Sequence, residues 1–361
     1  MKKRITAAVI GVSVTLALAL IPARAFYEAY RLDGLLRIQK FDRYTDLYDA
    51  QTELLNAQIK SLENQLSGVN KPENYPQERY QIDDLKSRLE LVPTRLEEAK
   101  ERAKYELQAR YNGVCLMLKQ NELLQAQLEY LDAQITVENT KLSLGDSTRA
   151  SLDALAVQKA SAEQAIGANL EIIKLTKALV ASAAGFDGEG FNPTFELPLT
   201  VELPYPRTLD FLWDRFMVKN VAANESRMAV KNNQNLAGYI GEAESGISEY
   251  VKNAAEANLK AAQAQNKLTG LQLRQSATGV FARYLSAKAG YNPNYNGVLT
   301  ARLALAESAR EHGEVSGLEF LRLRAEIQEQ MYGHYESVVT LLNAVTELQM
   351  LERGVLADGG G

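Results

Sequence analysis

The sequence predicts an all-α protein built as two tandem repeats of a long antiparallel helical hairpin, coiled-coil in character, joined by a short extended linker. Three observations predict it. The nine prolines leave two long gaps, 94–192 and 207–292. Proline costs about 3 kcal/mol inside a helix, so these gaps are where long helices are permitted. Apolar residues recur at three- and four-residue steps over most of the chain, the period of an amphipathic helix. One turn also occurs twice, as Gly-x-x-Thr at Gly145 to Thr148 and as Gly-x-x-Ser at Gly313 to Ser316, 168 positions apart.

Taken in order, the chain starts with a targeting segment, 1–25. Lys2, Lys3 and Arg4 precede an apolar run from Ile5 to Ile21, and Ala23-Arg24-Ala25 is an A-x-A cleavage site. Cleavage after Ala25 is expected, the alternative being an uncleaved N-terminal anchor. The first repeat, 26–185, opens with one amphipathic helix from Phe26 to Leu66, its stripe including Leu35, Leu36, Leu47, Leu54, Ile59 and Leu62. Ser67 to Pro72 break it, and Pro76 ends the break. A second helix starts near Gln77, and Pro93 is expected to kink or restart it, since proline suits a first helical turn. From Thr94 to Leu144 nothing interrupts, a span of roughly 76 Å. Leu124, Leu128, Leu131, Ile135 and Leu142 form its a/d stripe, with Glu138 the exception. Arg149 to Ala184 returns, with Leu155, Ala162, Ile166, Ile173 and Val180 facing inward.

The segment 186–207, FDGEGFNPTFELPLTVELPYPR, changes character. It holds Pro193, Pro198, Pro204 and Pro206 and alternates Phe195, Leu197, Leu199, Val201 and Leu203, as an extended linker or short strand would. The second repeat, 208–361, reads as helix from Thr208 to about Lys288, with Gly238, Gly241 and Gly246 as weak points. AGYNPNYNG, 289–297, breaks it. Val298 to Glu311 leads to the second turn, and beyond it Phe320, Ile327, Met331, Val338, Leu341, Val345 and Leu348 hold an a/d register.

The turns have a physical logic. Gly145 and Gly313 supply the left-handed residue that ends a helix. Thr148 and Ser316 supply the hydroxyl that caps the next one. The stretches ENTKLSLGDSTRASLDALAVQKASAEQ and ESAREHGEVSGLEFLRLRAEIQEQ carry these turns. With the tandem halves and the linker motif ELPLTVELP, they make the chain resemble the outer membrane efflux protein family, the TolC-like proteins of export systems. The resemblance covers most of residues 26–354. It implies a homotrimer whose twelve helices enclose a tunnel, with its tip facing an inner-membrane pump or a periplasmic adapter protein. It also implies an acid lining the tip constriction, which falls here on Glu319; the other family acid position is occupied by Arg322, and its counterpart after the first turn by Ser151. One departure is large. Family members carry two membrane strands in each half, and the corresponding stretches here, SLENQLSGVNKPENYPQERYQ and NLAGYIGEAESGISEYVKN, are short and polar. Membrane strands need about ten alternating residues each, so no β-barrel of its own is expected, although membrane association is compatible with the sequence.

Composition excludes other classes. Residues 1–25 carry four positive charges and no negative one, so a chain beginning at Phe26 has a formal charge of −9 against −5 for the whole. Such an acidic export product is a poor nucleic-acid binder. Two histidines and one cysteine give no zinc site and no Cys–His nucleophile pair. His334 falls at a core position, His312 suits a helix C-terminus, and Cys115 reads as a buried thiol. GFDGEG at 185–190 lacks the lysine of a phosphate loop, and Asp187 and Glu189 there read as a solvated linker. No catalytic residue, cofactor or metal is expected. At the turns Asp146, Asp153, Glu314 and Glu319 are weighed between helix N-terminal acids favoured by the dipole and a pore ring. The function expected is a helical-tunnel component of an efflux or export system in the cell envelope, periplasmic or outer-membrane-associated. The alternative is a barrel-less coiled-coil scaffold that binds envelope partners without conducting.

Overall fold

A computed structural model describes residues 32–184, 194–198, 200–204, 208–243 and 247–357. Among them every regular element is a helix. These are α1 (Leu32–Ile38), α2 (Asp42–Ser67), a single 3-10 turn (Pro72–Asn74), α3 (Pro76–Leu144), α4 (Arg149–Ala183), α5 (Leu209–Lys219), α6 (Val221–Glu242), α7 (Glu249–Gly290), α8 (Tyr295–Glu311) and α9 (Gly317–Glu352). The all-α class with long helices therefore stands. The targeting segment 1–25, Asp187 and Glu189 of the linker, and Gly246 lie outside the described residues.

The chain forms two compact units, and each draws on both halves of the sequence. The first comprises residues up to Lys40, Glu106–Glu202 and Ala287–Asn343; the second comprises Phe41–Tyr105, Leu203–Ser286 and the chain from Ala344 onward. In the first unit one core gathers Leu35, Leu107, Tyr111, Cys115, Val180 and Ala184, with Phe195 and Leu197 of the linker packed against it. A second gathers Leu299, Ala306, Phe320 and Ile327 between α8 and α9. Polar layers set the register between neighbours: Asn112 Nδ2 donates to Asn343 Oδ1 at 3.0 Å, and Asn169 Nδ2 reaches Gln120 and Asn121, both at 3.0 Å. On α3 the deepest positions are Leu123, Ala126 and Leu131. Leu124, Leu128, Ile135 and Leu142, expected in the stripe, are half-buried instead. The reason is that α3 has bonded neighbours on two sides, α4 through Asn169 and α9 through Asn343.

In the second unit Leu236, Ile240 and Ala255 pack with Tyr80 and Ile247. Asp83 on α3 accepts hydrogen bonds from Asn235 Nδ2 at 2.8 Å and Tyr239 Oη at 2.7 Å on α6. The Arg79 guanidinium lies 3.7 Å from the Tyr239 ring centroid and donates to Glu242 at 2.9 Å.

Three details depart from the sequence expectation. The single helix expected over 26–66 breaks at residues 39–41. No glycine or proline marks the break; α1 packs in the first unit through Leu35, whereas α2 belongs to the second. Helix α3 continues through Pro93, so of the two outcomes expected there the restart does not occur. Pro93 leaves the carbonyl of Leu89 without its helical donor, and the adjacent Leu91 and Val92, 4% and 5% exposed, each return roughly 1.5–3 kcal/mol by burial. Finally, the helix expected from Thr208 to Lys288 stops first at Asn220. That residue is extended (φ −67°, ψ 130°), its Oδ1 accepts from Ala223 N at 2.9 Å, and its Nδ2 donates to Gly354 O at 2.9 Å. An interior asparagine that caps the following helix while holding a distant carbonyl is a tertiary contact, invisible to periodicity.

Candidate functional site

The two turns close by the same backbone geometry. At the first, Gly145 has φ +82°, its N–H donates to Leu142 O at 3.2 Å, and Asp146 N donates to Lys141 O at 2.9 Å. At the second, Gly313 has φ +74°, its N–H donates to Arg310 O at 3.1 Å, and Glu314 N donates to Ala309 O at 2.8 Å. Each is a Schellman closure, in which a left-handed residue lets two backbone N–H groups satisfy orphan carbonyls. The return helices are capped alike. Thr148 Oγ1 accepts from Ser151 N at 3.3 Å, and Ser316 Oγ accepts from Glu319 N at 3.1 Å. Gly-x-x-Thr and Gly-x-x-Ser thus stop one helix and start the next within four residues.

The turns differ in what fills them. Val315 reaches back onto the Leu299–Phe320 cluster. Its counterpart Ser147 instead donates to Glu138, the residue that interrupts the α3 stripe. Asp146, Asp153 and Glu314 are exposed.

Glu319 sits one turn into α9, at the third helical position after the Ser316 cap. Its carboxylate turns toward Arg322, whose Nε reaches Oε2 at 3.0 Å and whose Nη2 reaches Oε1 at 2.5 Å. Arg322 also pairs with Glu326. The bidentate hydrogen bond from Arg322 holds the Glu319 carboxyl below its ordinary range. Arg324 on the same helix pairs with Glu129 of α3. Sequence reasoning singled out Glu319 and left its partner uncounted, although the Glu319–Arg322–Glu326 spacing of three and four was a readable signal.

The other titratable candidates are accounted for. His312 Nδ1 lies 2.7 Å from Ser308 O at the end of α8. Cys115 is 2% exposed and burial pushes its thiol up to about 12. Among the described residues no group of three or more His, Cys, Asp or Glu is placed to hold a metal ion. None of the described helices is long and apolar enough to cross a membrane.

A second surface stands out on the second unit. Helix α7 buries Ala255, Leu273, Ala277, Val280 and Tyr284 on one face. Its opposite face repeats the pattern in solvent: Tyr250, Ala254, Ala257, Ala261, Ala264, Leu268, Leu271, Gln275, Thr278, Ala282 and Leu285 are all exposed, at alternating steps of four and three. Leu271 is 70% exposed and Leu268 47%. On the first unit, α4 has a shorter exposed row through Ala154, Val157, Ser161, Ala168 and Leu175, of which Val157 and Leu175 are each 65% exposed. A single a/d stripe buries a helix against one neighbour; the outward stripe presents the same spacing to solvent.

The junctions where the membrane strands would lie are short. Helices α2 and α3 are separated by residues 68–75, and α6 and α7 by residues 243–248. A membrane strand takes about 9–11 residues.

Fold comparison gives the class. The chain shares the architecture of outer-membrane channels. The open state of the MtrE outer membrane channel of Neisseria gonorrhoeae aligns with TM-score 0.59 at 13% identity, covering 91% of this chain and 90% of that one. The CmeC outer membrane channel of Campylobacter jejuni aligns with TM-score 0.58 at 11% identity over 91% and 86%. A membrane protein of Pseudomonas aeruginosa aligns with TM-score 0.57 at 11% identity, covering 91% of each chain. At such identity the likeness is one of fold. No protein-family model matches the sequence, and no curated protein sequence matches it.

Proposed function

We propose that this chain is an exported, TolC-like helical component of an efflux or export system, in which three copies join their hairpins into a duct that works with an inner-membrane pump and a periplasmic adapter protein. The two hairpins form tandem repeats, 26–185 and 208–361, and the turns at Gly145–Thr148 and Gly313–Ser316 form the tip that faces the pump. The protein works in the cell envelope, needs no cofactor and catalyses no reaction. The observation that carries this reading is the exposed seam of α7. About 50 Å of helix, at 1.5 Å per residue, presents apolar side chains at coiled-coil spacing to solvent. The likeness to the MtrE and CmeC channels supports it. Light scattering on the protein beginning at Phe26 tests it. The expected mass is that of three protomers, and Leu268→Glu with Leu271→Glu shifts it to one protomer at unchanged helicity. A monomeric parent protein overturns the proposal.

A second reading, a coiled-coil scaffold that binds envelope partners without conducting, is favoured by the short junctions 68–75 and 243–248, which leave no room for membrane strands. The two readings part on the lumen. Electron microscopy of the assembled particle shows an open central channel for a duct and a closed bundle for a scaffold.

A further inference from the structure

The break between α7 and α8 is held by a buried imidazole. His334 on α9 is 4% exposed, the only histidine in the core. The ring of Tyr291, at the end of α7, stacks on it at 6.0 Å and 17°. The ring of Tyr295, at the start of α8, meets it edge-on at 5.9 Å and 68°. Both flanks of the turn 291–294 therefore close on one side chain. Tyr291 does a second job, its Oη accepting the N–H of Val201 in the linker at 3.2 Å. All of these residues belong to the first unit.

We propose that this clasp is a pH-sensitive latch: neutral His334 fastens the α7–α8 turn and the linker at Val201 to α9, and protonation of His334 releases them. The groups that face the imidazole are the phenols of Tyr291 and Tyr295 from the turn and Tyr335 from α9 itself, whose ring centroid lies 6.0 Å away. From α3, Lys119 stands 5.2 Å over the Tyr335 ring and is itself paired with Glu122 at 2.8 Å, so this pair brings no net charge to the imidazole. Burial holds the imidazole below its ordinary value of 6.5. Charging it inside the clasp strips the imidazolium of water with no carboxylate acting to stabilise it, so the charged form is accommodated by opening.

The sign follows. A base whose folded-state pKa is depressed binds more protons unfolded than folded, so its contribution is fully present above the unfolded value of 6.5 and is lost as pH falls below it. Of the two histidines, His334 is the buried one, so its protonation is the one coupled to the packing of the turn.

Hydrogen exchange on the full-length protein tests the latch. After correction for the intrinsic pH dependence of exchange, amides of residues 291–298 other than Pro293, and of Val201, should lose protection severalfold between pH about 7.5 and 5.5, while amides in the middle of α3 do not. His334→Gln and His334→Leu remove the titration in two different ways, and whichever variant retains the parent's helicity at pH about 7.5 should show the same protection at both pH values. Two results overturn the proposal. One is unchanged protection in the parent protein, which would mean that the tyrosine faces hold the imidazolium in place. The other is an equal acid-induced loss in the non-titrating variants. The test reads the turn alone and does not depend on the oligomer.

Discussion

Among the described residues three left-handed glycines close helices, and they should not cost the same to replace. Gly145, Gly313 and Gly354 have φ of +82°, +74° and +88°. A Cβ added at Gly145 or Gly313 meets nothing within 4 Å. The penalty there is conformational, about 1–2 kcal/mol for an L-residue in the left-handed region, offset in part by about 0.4–1 kcal/mol from a stiffer unfolded chain. Gly145→Ala and Gly313→Ala should each cost about 1 kcal/mol net. At Gly354 the same atom would sit 2.6 Å from Lys219 Cβ, 2.7 Å from Lys219 C and 2.9 Å from Asn220 N. Two of those are backbone atoms of the α5–α6 junction, so relief requires moving Asn220. That displaces the bond from Asn220 Nδ2 to Gly354 O and the cap on Ala223, each worth about 1 kcal/mol. Gly354→Ala should therefore cost about 3 kcal/mol. The assay is urea unfolding. Trp213, the sole tryptophan, lies in the second unit with Gly354 and reports its transition by fluorescence; circular dichroism reports the loss of helix in the tip variants. A Gly354→Ala midpoint shift no larger than that of Gly145→Ala would refute the reasoning, because it would mean the junction yields without losing its bonds.

Other expectations follow from the same geometry. Cys115 should resist alkylation in the folded protein up to about pH 10 and react at once in denaturant, since burial both hides the thiol and pushes its pKa to about 12; mass spectrometry of the labelled fraction checks it. Asn112→Leu leaves the Asn343 amide facing an apolar neighbour, and about 1–3 kcal/mol of stability should go with it, read from the urea midpoint and partly restored by Asn343→Leu. Glu319→Gln should leave the melting temperature nearly unchanged, because the pair is solvent-exposed and Arg322 keeps Glu326; if the tip has the proposed role, export of a pump substrate or binding of the partner should change, and unaltered export in that variant defeats the assignment of this acid.

What was legible in the sequence was whatever is local. Proline gaps and three-to-four spacing located the long helices, and the Gly-x-x-Thr/Ser pattern located two turns, because a left-handed stop and a hydroxyl cap are properties of a few adjacent residues. What escaped were choices made by distant neighbours. The break at 39–41 carries no glycine or proline; it follows from Leu35 joining the core of Tyr111 and Val180. Asn220 ends a helix because Gly354, far along the chain, offers a carbonyl. Pro93, a strong local signal, does not restart the helix, since Leu91 and Val92 beside it are buried deeply enough to keep α3 continuous. The outward seam of α7 was readable and passed over: once one stripe of Leu273, Ala277, Val280 and Tyr284 explains a helix, the second stripe on the opposite face looks like ordinary exposed alanine and leucine.

The charge at the second turn bears on both functional readings. A carboxylate that lines a narrow passage selects cations only while its charge faces the passage. Here Arg322, three residues on, takes both oxygens of Glu319, and Glu326 takes the other side of the same guanidinium. The stripe Glu319–Arg322–Glu326 carries one net negative charge, not two, and that charge is shared along a helix face. The pairing belongs to the folded helix, because spacings of three and four bring the side chains together only there. It also depends on the carboxylate being ionised. The hydrogen bond lowers the Glu319 pKa, so the pair's contribution is present above the unfolded carboxylate range and is lost only as pH falls through the lowered folded value. The His334 contribution begins to go as pH falls below 6.5, above the carboxylate reference of 4.5, so on acidification the histidine responds first. The tip charge and the clasp at the α7–α8 break therefore answer to different acidities, and a change in export confined to mildly acidic conditions would point to the histidine and away from Glu319.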